Sequence, residues 1–76
     1  MPELPKLAGK KVILILERLG FAQVRQRGSH VILKRATPEG ERGCVVPLHR
    51  EVKVGTLKGI LRQAGIAHDE FLRALK

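Results

Sequence analysis

Two stretches of alternating residues, AQVRQR (22–27) and HVILK (30–34), are separated by only Gly28 and Ser29. That spacing dictates a two-residue β-hairpin, with glycine supplying the positive φ at the first turn position of a type II′ turn. The pairing then follows. Arg27 stands opposite His30 and Arg25 opposite Ile32, so Gln23, Arg25, Arg27, His30, Ile32 and Lys34 share one sheet face. Ala22, Val24, Val31 and Leu33 share the other, which must meet whatever covers the sheet.

The flanking segments supply the cover. In GKKVILILERL (9–19), Val12, Ile13, Leu16 and Leu19 recur at helical spacing, and Gly20 follows where a left-handed cap belongs. TPEGERG (37–43) reads as a turn, and CVVPL (44–48) as a short third strand that Pro47 confines to an edge or terminal position. Thr56 is the expected N-cap of a second helix, LKGILRQAG, with Leu57, Ile60 and Leu61 as its apolar stripe and Gly65 as its stop. HDEFLRALK adds a short third helix through Phe71, Leu72 and Leu75. The order α-β-β-β-α, with one or two closing helices, predicts a single α+β domain over residues 1–76, its helices packed on one face of a three-stranded antiparallel sheet.

Seventy-six residues with one cysteine, Cys44, allow no intramolecular disulfide, and the Cys and His spacings fit no zinc site. The fold must therefore rest on apolar packing. Cys44, on a strand, is expected to be a small buried filler. The longest apolar run, 12–16, cannot span a bilayer, and the N-terminus lacks the long apolar core of a secretory signal, so a cytoplasmic protein is expected.

Charge narrows the partner. Fifteen Lys and Arg against seven Asp and Glu leave +8, and no acidic residue falls between Glu17 and Glu39, an interval holding Arg18, Arg25, Arg27, Lys34 and Arg35. Such a surface seeks polyanions. With Phe21 and Phe71 as the only aromatics, no aromatic stacking platform is expected, and a nucleic acid would be held through phosphates and sugars. On the residues alone His30 is either an ordinary exposed side chain beside a turn or a proton acceptor set among cations.

A helix ending in LGF, then VRQRGSH, a strand ending in VPLH, and VGTLKGILRQAGI together resemble the HicA (YcfA-like) mRNA interferase toxins, from Lys10 to Leu72. The resemblance implies a fold like the double-stranded RNA-binding domain, endoribonuclease activity against mRNA without metal or other cofactor, and neutralisation by a HicB-type antitoxin. It also implies that the histidine of the GSH motif, His30, is catalytic. Many family members carry a second histidine directly after it; Val31 stands there instead. In that reading Arg25, Arg27 and Lys34 clamp the phosphate, Gly28 and Ser29 offer donors at the turn, and His49 is a candidate general acid. The competing reading is a non-catalytic RNA-binding module on the same fold.

Overall fold

The computed structural model describes residues 3–76. Helix α1 (Gly9–Arg18) is followed by strands β1 (Ala22–Arg27), β2 (His30–Thr37) and β3 (Gly40–Pro47), then helices α2 (Val54–Ala64) and α3 (His68–Leu75). The strands form one antiparallel sheet in the order β1-β2-β3, and the helices lie on one face of it, the α-β-β-β-α arrangement of a double-stranded RNA-binding domain. The third helix joins by burying Phe71 completely.

Alternation decides what fills the space between layers. Val31 and Leu33 of β2 and Cys44 and Val46 of β3 point toward the helices, where Val12, Ile15 and Leu16 of α1 and Leu57, Leu61 and Ala64 of α2 meet them. Burial pushes the Cys44 thiol up to about 11, which leaves it a neutral, unreactive part of the core at physiological pH. No described helix is long and apolar enough to cross a membrane.

Three expectations need correction. First, the segment 37–43 is not all turn. Thr37 pairs with Gly40, so the connection is only Pro38-Glu39, and both strands run to its edge. The Thr37 hydroxyl donates to the Gly40 carbonyl at 2.5 Å and closes the loop, so Gly40–Gly43 extend the ladder despite their turn-prone composition. At its other end β3 stops at Pro47, and Leu48 lies outside it. Second, β1 carries a bulge between Gln23 and Arg25. The extra residue shifts the pleat: Val24 is 53% exposed rather than buried, while Gln23 pairs with Leu33 and so leaves the Lys34 face. Third, α2 begins at Val54 with Lys53 as its N-cap, so Thr56 lies inside the first turn; no side chain caps that end. Gly65 does stop the helix, in the left-handed conformation at φ 71°.

Two arginines of the basic interval are used by the fold. Arg18 donates to the Ala74 carbonyl (3.0 Å) near the end of α3. Arg35 faces the helices, donates to the Leu19 carbonyl (2.9 Å) at the end of α1, and lies 4.8 Å above the Phe21 ring. Each places a positive charge where a helix exposes unpaired carbonyls. Arg35→Met keeps the aliphatic length and removes the charge-assisted bond and the cation–π contact. It is expected to cost about 1–2 kcal/mol in a denaturant titration.

Candidate functional site

The Gly28-Ser29 turn is held from two sides. Gly28 takes φ 59°, and no non-glycine residue among those described has positive φ, so Ser29 keeps the ordinary sign and the turn has type II′ character. The Gln26 side-chain amide donates to the Gly28 carbonyl at 3.0 Å, and the Leu48 N–H donates to the Ser29 carbonyl at 2.6 Å. The second bond ties the turn to the chain leaving β3. The N–H groups of Gly28 and Ser29 have no backbone partner among the described residues.

This anchored turn fixes where His30 begins the central strand. Across the sheet, His30 lies between Arg27 of β1 and Pro47 of β3. The next rung on the same face is Arg25, Ile32 and Val45, and the one after it is Ala22, Lys34 and Gly43. No described helix lies over this face, and His30, Arg25, Arg27 and Lys34 are all exposed on it. Four of the expected site residues therefore come together as read from the hairpin, with Gly28 and Ser29 at their edge.

Lys34 stands differently from the two arginines. Its Nζ is 3.4 Å from the Glu41 carboxylate on β3, so part of its charge is already answered within the protein. Arg25 and Arg27 have no ion pair among the described residues and are the free cations nearest His30 along β1. Arg18 and Arg35, which the sequence interval grouped with them, are spent on helix ends.

His49 is exposed just beyond the β3 terminus. Its carbonyl accepts the Gly9 N–H at 2.9 Å, and its neighbour Leu48 is the residue bonded to Ser29, so its backbone runs beside the hairpin tip. Neither imidazole is hydrogen-bonded within the chain among the described residues. No group of three His, Cys, Asp or Glu side chains converges there either.

Sequence reading missed two neighbours of these residues, Val45 and Glu41. Both follow from one fact, the Pro38-Glu39 turn. Once Thr37 is set opposite Gly40, counting back along the ladder puts Ile32 opposite Val45 and Ala36 opposite Glu41. The signal was the tight turn hidden among the extra glycines.

What the arrangement can do chemically is limited and specific. It offers an exposed imidazole, two guanidinium groups on the adjacent strand with no ion pair among the described residues, free turn amides, and a sheet face that an extended anionic chain can cross. A family model for the HicA toxin of bacterial toxin-antitoxin systems matches residues 9–66, which span the hairpin, β3 and α2. No curated protein matches the chain.

Proposed function

The chain belongs to the HicA toxin family, and from that premise we propose that it is the toxin of a toxin-antitoxin pair and acts as an endoribonuclease on mRNA, with His30 as general base. The observation that carries this reading is the placement of His30. It heads the central strand on the uncovered face, exposed, with Arg27 directly across from it and Arg25 on the next rung.

RNA contains its own nucleophile. The neutral imidazole takes the proton of a ribose 2′-hydroxyl, the 2′-oxygen attacks the adjacent phosphorus, and the bond to the 5′-oxygen of the next nucleotide breaks. Arg25 and Arg27 hold the non-bridging oxygens, which carry the growing negative charge, and the turn N–H groups of Gly28 and Ser29 add neutral donors. Lys34, shared with Glu41, contributes to binding further along the strand. The departing 5′-oxygen requires a proton, which His49 or water supplies. The products are a 2′,3′-cyclic phosphate and a 5′-hydroxyl.

Two substrates test this reading. A labelled single-stranded transcript is expected to be cut in EDTA, and the same strand with 2′-deoxyribose throughout to remain whole. Intact RNA with retained binding would instead identify a non-catalytic RNA-binding module.

Membership in a toxin-antitoxin family implies an antitoxin. We take it to be a HicB-type protein that covers the open face with an acidic or mixed surface, because opposite charge speeds capture and Arg25, Arg27 and Lys34 are the accessible cations there. Reversing the three to glutamate is expected to weaken antitoxin binding and flatten its salt dependence, along with losing cleavage. Unchanged antitoxin affinity across a salt series, alongside lost cleavage, would place the antitoxin elsewhere.

A further inference from the structure

The middle rung of the open face carries two aliphatic side chains beside Arg25. Ile32 is half-buried and Val45 is 38% exposed, side by side on β2 and β3, with no helix above them. Every other β2 and β3 residue that is large and aliphatic, namely Val31, Leu33 and Val46, is buried beneath the helices. Around this apolar pair stand Arg25 on the same rung, His30 one rung toward the turn and Lys34 one rung away from it. Two residues along a strand cover about 6.7 Å, so His30 and Ile32 are close enough to meet neighbouring parts of one extended ligand.

We propose that Ile32 and Val45 form the floor on which an unpaired nucleobase of the RNA rests while the adjacent phosphodiester lies at His30. A ligand for this face must be anionic along its length and must also present a flat apolar surface, because the cations and the aliphatic pair belong to one continuous patch. Unpaired RNA has both properties. A duplex has only the first, since its bases are stacked inside and its outer surface shows phosphates and hydroxyls. The floor therefore makes the enzyme selective for single strands, and it does so without an aromatic side chain.

The inference rests on the RNA-cleaving reading of the same face, and binding measurements separate the two. Val45 is the residue to vary, because it is exposed and its backbone N–H, which donates to the Gln63 side chain at 3.3 Å, survives substitution. Val45→Thr removes apolar surface at nearly constant shape, and Val45→Tyr enlarges it. Binding is measured at fixed salt on a His30→Ala background, with a single-stranded oligoribonucleotide and with the same strand annealed to its complement. Val45→Thr is expected to weaken single-strand binding about fivefold, the low end of what base stacking contributes, and Val45→Tyr to strengthen it by a similar factor; duplex binding is expected to stay constant.

Equal effects on single strand and duplex, or no effect of either variant, overturn the floor. So does a change confined to antitoxin affinity, which would make Ile32 and Val45 a protein-docking patch. A purely structural role for Val45 cannot produce the tyrosine gain. Failure of the parent protein to bind RNA at all sinks the broader reading, whereas binding that ignores Val45 sinks only this inference.

Discussion

Replacing His30 with alanine is expected to lower RNA cleavage by roughly a hundred- to ten-thousand-fold, the range forfeited when a general base is removed. Growth arrest on expression should disappear with it. The fold should not. His30 projects from the uncovered face and makes no hydrogen bond within the described chain, so its truncation opens no cavity and should cost within about 0.5 kcal/mol. RNA affinity should largely persist, since the arginines on β1 remain. Thermal melting, RNA binding and cleavage measured on one preparation distinguish the outcomes. Cleavage near the parent rate would make His30 an ordinary surface residue, and a collapsed melting curve would mean that its side chain supports the fold.

The opposite pattern is expected at Gly9. It opens α1 against the exit of β3, and a Cβ built there would overlap the Pro47 carbonyl oxygen and sit 3.0 Å from the Leu48 Cα. Both obstacles are backbone, which cannot swing aside. The Gly9 N–H also donates to the His49 carbonyl, so the helix cannot back away without losing that bond. Glycine to alanine in a helix ordinarily stabilises by up to about 1 kcal/mol. Here Gly9→Ala should destabilise by about 3 kcal/mol, the upper part of the range for overpacking. For a domain of this size that is a melting temperature lower by roughly 12–24 °C. A variant that melts at or above the parent temperature would mean that α1 can shift on the sheet.

These two residues mark what the sequence could and could not reveal. His30 was legible because its surroundings are local: a two-residue turn fixes both its strand partner and its face. Gly9 was opaque, because its constraint comes from Pro47 and Leu48, far along the chain. The same division holds elsewhere. Helix stripes, Gly65 as a stop and the hairpin facing at Arg25 and Arg27 all follow from nearest-neighbour periodicity. Val24 was misplaced because alternation assumes a regular pleat, and a bulge inserts one residue without any compositional mark. Gly40 and Gly43 looked like turn residues, yet the ladder with β2 holds them in a strand. Arg18 and Arg35 resembled the other cations of the basic interval until Ala74, Leu19 and Phe21 appeared beside them.

The Gln63 side chain meets the outward N–H of Val45, so the outer edge of β3 is guarded at that point by α2, while β1 has no strand neighbour on its outer side among the described residues. Polymerisation through strand pairing requires two usable edges on every subunit, one to receive and one to offer. Gln63 occupies one β3 donor, which hinders this edge without closing it and leaves pairing through β1 as the first step open to the sheet. The bulge and the two arginines of β1 discourage even that step. Both edges of the sheet thus carry a feature that disfavours edge-to-edge association of one copy with another.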